Sequence, residues 1–191
     1  MTNNNCNISF GKQNLTYLSK DDLNFLEPKI YVVCLAAYNA NYSHGIWINA
    51  CQPLDVILRE IEIMLSNSPI SNAKEWVIQD YEDFGSIFLD ESLDLKTVIA
   101  IADIITKYGK LGAEVVAYHS QHVGDAKIAL ENYCGEYNSE TDYAKQLIND
   151  SCNIPDYFQL YIDYDKFACD LFINDNYSVY VDGKYHVFNQ T

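Results

Sequence analysis

Residues 131–175 (ENYCGEYNSETDYAKQLINDSCNIPDYFQLYIDYDKFACDLFIND) constrain this chain more than any other stretch. They carry ten carboxylates, Glu131, Glu136, Glu140, Asp142, Asp150, Asp156, Asp163, Asp165, Asp170 and Asp175, against only Lys145 and Lys166. The apolar residues Tyr157, Leu160, Tyr161, Tyr164, Phe167, Ala168 and Leu171 fall at the i, i+3, i+4, i+7 spacing of a helix face turned to a core. Asp156, Asp163 and Asp170 recur every seven residues, so one continuous helix would hold them near a single azimuth, about 10 Å apart. The stretch predicts an aromatic stripe pressed inward and a carboxylate stripe held outward.

The rest of the chain shares that charge. Its 191 residues include 27 acids against 12 Lys and Arg, a formal net charge of −15. Self-repulsion on that scale disfavours the compact state, so it calls for an explanation in partner or habitat. It argues against direct binding to nucleic acid or to an anionic membrane and favours a basic protein surface. With 49% hydrophobic and 14% aromatic residues the chain has ample material for packed cores. The six cysteines form no C-x-x-C pair, and the first residues lack the apolar core of a signal peptide. No apolar run reaches membrane length. These features predict a cytoplasmic protein with reduced thiols, Cys34 serving as a small core residue.

In chain order, residues 1–27 are polar and Asn-rich and read as an N-terminal extension. Residues 29–37 (KIYVVCLAA) predict a buried strand, 45–50 (GIWINA) a second, and 75–81 (EWVIQDY) a third. Between the last two, Pro53 opens a helix whose stripe is Leu54, Ile57, Leu58, Ile61 and Leu65. Residues 28–91 thus form a small α+β domain. Residues 92–131 form a helical domain, its first helix apolar nearly all round and ended by Gly109. Residues 132–191 form a second α+β domain. There Ser139-x-x-Asp142 caps a helix, Pro155 starts another segment, Asp163 caps a further one, and Asp182-Gly183 closes a type I′ hairpin.

Several motif-like patterns carry little. Residues 80–91 (DYEDFGSIFLDE) match an EF-hand loop at some positions, but Phe84 stands where an oxygen ligand is needed and a strand precedes. Gly109-Lys110-Leu111-Gly112 is a helix turn rather than a nucleic-acid clamp in so acidic a chain. His119-x-x-His122 lacks a third or fourth ligand at zinc-like spacing. No G-x-S-x-G, Walker A, G-x-G-x-x-G or H-E-x-x-H occurs, so the chain reads as a non-enzyme with neither metal nor cofactor. From residue 75 to 95 there are seven acids and no base, a second acidic display.

The pattern Gly135-Glu136-Tyr137-x-Ser139-x-x-Asp142-Tyr143-Ala144, followed by Ile154-Pro155 and then YIDY-x-x-FA-x-DL (residues 161–171), resembles the antirestriction motif region of ArdA-type antirestriction proteins. The segments KIYVVCLAAYN, GIWINA and EWVIQDYE are similar to the opening of the same family. The resemblance covers most of residues 29–191. Two departures stand out: Cys169 occupies a position where the family often has Arg, and residues 1–27 have no counterpart.

The resemblance implies an α+β chain of three small consecutive domains in an elongated, curved arrangement, dimerised through the third. It implies a DNA mimic that occupies the DNA-binding groove of a type I restriction–modification enzyme and protects incoming mobile DNA. The physics is direct. Duplex DNA carries one charge per roughly 1.7 Å of axis, and its binders invest in Lys and Arg contacts to phosphates. The expected mimic carboxylates are Asp80, Glu82, Asp83, Asp90, Glu91, Asp94, Glu131, Glu136, Glu140, Asp142, Asp150, Asp156, Asp163, Asp165 and Asp170. The competing readings are an acidic adaptor that binds a protein without competing with DNA, and a metal-dependent hydrolase built on clustered carboxylates.

Overall fold

Three short apolar runs build the first sheet of the computed structural model, which describes residues 26–90, 93–151 and 153–190. All but the last two residues of the expected extension, together with Glu91, Ser92 and Cys152, lie outside the described residues. The chain is α+β, with mixed helices and two antiparallel sheets. The described residues form two compact units, one ending at Ala126 and one running from Lys127. The expected boundary at 91/92 falls on residues outside the description.

In the first unit β1 (Lys29–Cys34) lies between β2 (Gly45–Asn49) and β3 (Trp76–Glu82), in the order β2-β1-β3. Ile30, Val32 and Cys34 alternate onto one fully buried face, as expected of a half-covered strand. The single strand expected over residues 29–37 stops at Cys34, and Leu35–Asn39 is a short helix, α1. The ladder runs out there: Cys34 N–H donates to His44 and Leu35 N–H to Glu75, each at 3.0 Å, where β2 and β3 begin. Leu-Ala-Ala, with no β-branched residue, then follows its helical preference.

Helix α2 (Leu54–Ser66) buries Ile57, Ile61 and Met64, while Leu58 is exposed. The stripe is therefore rotated from the one expected, and Met64 replaces Leu58 in it. Helix α3 (Leu95–Tyr118) buries Val98, Ile101, Ala102, Ile104 and Ile105 in its first part, the nearly all-round burial its sequence implies. Gly109 breaks it with φ 59° and ψ −143°, a conformation open to glycine and strained for other residues. His119 closes α3, and left-handed Ser120 and Gln121 lead to α4 (Val123–Glu131).

The second sheet has the order β4-β6-β5, from β4 (Tyr133–Tyr137), β5 (Asn176–Val181) and β6 (Lys184–Asn189). Asp182 (φ 48°) and Gly183 (φ 87°) make the hairpin that Asp-Gly announces. Strand β4 went unread in the sequence, because helical spacing continues to Tyr133 and Gly135 interrupts any alternation. Gly135 sits at φ 129° beside a register shift against β6. Helix α5 (Glu140–Ser151) begins as expected, with Asp142 N–H donating to Ser139 Oγ at 3.0 Å. Cys134, Tyr143, Ala144, Ala168, Leu171 and Val187 form the core that joins α5 and α7 to the sheet.

As the Pro155 and Asp163 signals imply, the apolar spacing over residues 157–171 is carried by two helices rather than one. One turn, α6 (Asp156–Gln159), is separated from α7 (Tyr164–Asn174) by residues 160–163. Asp163 takes a non-helical backbone and accepts the Lys166 N–H at 3.0 Å, so its side chain starts a new helix rather than riding on an old one. The common azimuth of Asp156, Asp163 and Asp170 is lost with the break. So is half of the inward stripe: Ala168 and Leu171 are buried, whereas Tyr157, Leu160 and Tyr161 are exposed.

Candidate functional site

The surface that the sequence singles out is a set of carboxylates, and twelve of the fifteen are exposed: Asp80, Glu82, Asp83, Asp90, Asp94, Glu131, Glu136, Asp150, Asp156, Asp163, Asp165 and Asp170. Glu140 and Asp142 are half-buried, and Glu91 lies outside the described residues. The acids divide between the two units, six candidate positions preceding Ala126 and nine following it.

In the first unit the display rests on an alternation inside residues 80–90. Phe84, Ile87 and Leu89 are buried, while Asp80, Glu82, Asp83 and Asp90 remain in solvent. Phe84 packs edge-on against Tyr81 with ring centroids 5.7 Å apart, so its position in the EF-hand look-alike belongs to the core. Among the described residues no group of three or more His, Cys, Asp or Glu side chains is placed to hold a metal ion. His119 and His122 meet at the α3–α4 junction, where His122 Nδ1 lies 3.0 Å from the His119 carbonyl.

Some of these carboxylates are also structural. Asp94 caps α3, accepting the Thr97 N–H at 3.0 Å and its hydroxyl at 3.1 Å, bonds that hold its carboxyl below the usual range. Asp80 Oδ1 accepts the Tyr81 N–H at 2.8 Å. In the second unit Glu140 accepts the Ser178 hydroxyl at 2.7 Å and Asp165 that of Thr141 at 2.8 Å. Asp142 stands 4.0 Å from Lys145, an exposed pair of little energetic weight. An acid with a local partner is fixed in place yet still presents charge, so both roles coexist at one residue.

Sequence reasoning passed over other exposed acids, including Asp103 on α3 and Asp125 on α4. The signal for each was an acid on the polar side of a helix, indistinguishable from an ordinary solvated residue. It also placed Tyr157, Leu160 and Tyr161 in a core. They and Phe158 are exposed instead, Leu160 at 88% and Tyr161 at 85%. These four large apolar side chains fall between Asp156 and Asp163 in sequence, with the Tyr157 and Phe158 rings 4.4 Å apart. Cys169, at the position where related motifs often carry Arg, is exposed on α7 with a free thiol.

No helix among the described residues is long and apolar enough to cross a membrane. The arrangement presents negative charge held by helix ends, turns and strand edges. No curated protein matches the sequence at a significant level. A family model described as antirestriction protein (ArdA) matches residues 30–186, which include most of both sheets and nearly all of the exposed acids. The chain belongs to the ArdA antirestriction protein family.

Proposed function

We propose that this protein is an acidic DNA mimic that occupies the DNA-binding groove of a type I restriction–modification enzyme in the cytoplasm, inhibits it, and so protects incoming mobile DNA. The observation that carries the reading is the exposure of twelve of the fourteen described candidate carboxylates in a chain of net charge −15. A groove that binds phosphates non-specifically meets such a surface with the same Lys and Arg side chains. The reading assigns no catalytic residue and no cofactor. Its partners are the methyltransferase core of the enzyme and a second copy of the chain.

The reading includes the family arrangement of three small domains in an elongated, curved chain, dimerised through the third. Exposed Tyr157, Phe158, Leu160 and Tyr161 lie in that expected third domain, and an apolar contact is what two strongly acidic chains need to offset their repulsion. Leu160→Asp with Tyr161→Asp then yields a monomer in analytical ultracentrifugation. A dimer that survives both changes moves the contact elsewhere.

The function itself is tested by titrating the protein against a labelled duplex pre-bound to a type I methyltransferase core. Displacement near one dimer per enzyme, weakening as salt rises, is the expected result. Failure to displace DNA at low salt would leave an acidic protein that binds its partner elsewhere.

A further inference from the structure

Among the described residues β3 is an outer strand, paired on one side to β1. Outer strands expose a row of backbone donors and acceptors, and proteins blunt them with bulges and charges. The second half of β3 is blunted in this way: Gln79 is the extra residue of a register shift, Asp80 takes the Tyr81 N–H, and Glu82 and Asp83 add charge. The first half is not. Leu35 N–H bonds the Glu75 carbonyl and Val33 pairs with Val77, so residues 75 and 77 turn their backbone groups toward β1. By the alternation of an antiparallel ladder, Trp76 and Ile78 turn theirs outward. Trp76, Val77 and Ile78 are half-buried and uncharged.

At this strand lies a cleft of about 930 Å³, lined by residues 76–81, by Val33, Leu35 and Tyr38 of β1 and α1, and by apolar residues that include Phe88, Leu89 and Leu93. That volume is at the upper end of ligand-binding clefts, roughly 300–1,000 Å³. Exposed Asp80, Asp90 and Asp94 line it, exposed Glu75, Glu82 and Asp83 adjoin its lining residues in sequence, and residues 75–95 contain no Lys, Arg or His. An open apolar edge, a cleft running along it and a rim of one charge sign define the chemistry of what fits.

We propose that this edge and cleft take an extended segment of a partner protein, added to β3 as a strand, with apolar residues at alternate positions and Lys or Arg between them. Strand addition satisfies the outward groups of Trp76 and Ile78, the alternate apolar side chains enter the cleft, and the basic ones face the acidic rim. A second copy of this chain is a poor occupant, since its own charge of −15 opposes the same rim. The site goes beyond DNA mimicry and stands independently of it, because mimicry requires surface charge alone whereas this contact requires backbone hydrogen bonds.

The test uses the full chain and an acetylated, amidated Lys-Val-Lys-Val-Lys-Val-Lys peptide. Binding is followed by the fluorescence of Trp76 in a Trp47→Phe background and by amide hydrogen exchange. The peptide slows exchange at Trp76 and Ile78, and the same peptide N-methylated at alternate residues binds at least ten-fold more weakly. Ile78→Pro, which removes one outward N–H at an edge position, produces a similar loss. Equal binding of the two peptides, or no binding of either, overturns the proposal. So does protection of both amides in the protein alone. Protection independent of protein concentration would assign the edge to the chain's own residues, and protection that grows with concentration to a second copy.

Discussion

His186 and Tyr133 show how a single buried contact ties this acidic protein to pH. The His186 ring is nearly enclosed on β6, with Nδ1 2.9 Å from Tyr133 Oη and the two rings stacked. Burial raises the Tyr133 phenol far above its ordinary value, so it keeps its proton and shares a hydrogen bond with the imidazole. Burial also pushes His186 below the ordinary imidazole range, while Glu136 and Asp182 pull the other way. As pH falls, the unfolded chain therefore takes up a proton before the folded one does. Stability from this ring is complete above about pH 6.5 and declines below it, with a slope of at most ~1.4 kcal/mol per pH unit. Urea midpoints measured between about pH 7.5 and about pH 5.5 fall in the wild type and fall less steeply in His186→Gln; parallel slopes would remove the ring from the account. Gly109 is the backbone counterpart. Gly109→Ala forces a side chain into a conformation strained by about 1–3 kcal/mol, and the expected lowering of the urea midpoint reads that cost.

At the level of elements, α6 and α7 divide a stretch whose spacing alone suggests a single helix face. Heptad-spaced aspartates and a matching aromatic stripe fit one long helix, whereas Asp163 is at the same time a local signal for a helix start. The break arises because Asp163 satisfies a backbone N–H of the following turn better than a mid-helix aspartate satisfies anything. Asp163→Ala removes that cap and costs about 1 kcal/mol, read as a lower urea midpoint, whereas Asp163→Asn retains most of it. Equal losses in the two variants would mean that charge rather than capping sets the helix start. The hairpin of β5 and β6, the Ser139 cap and the interruption at Gly109 were legible because each depends on one or two residues with few alternative conformations. Strand β4 was not. Its five residues contain a glycine, and they become a strand by pairing with β6, some fifty residues later in the chain.

For the whole molecule, charge is distributed and so are its effects. Removing one exposed carboxylate leaves most of the field intact, so single neutralisations of Asp150, Asp156 or Asp170 leave inhibition of a type I enzyme nearly unchanged. The triple change to Asn weakens it more than the sum of the single effects, measured by DNA displacement at fixed salt; an undiminished triple variant would exclude this part of the surface. Asp163 is left out of the set because its loss confuses charge with the α7 cap. The sequence by itself determined the net charge, the α+β character and the family, since each follows from composition or from patterns spanning a few residues. Only the tertiary structure decided which apolar residues are buried. Tyr157, Leu160 and Tyr161 have the spacing of a core face yet stand in solvent, because α6 is a single turn and the core of α5, α7 and the sheet closes without them. Periodicity states which side chains share a face. Whether anything packs against that face depends on elements distant in sequence, and on the sum of contacts they make.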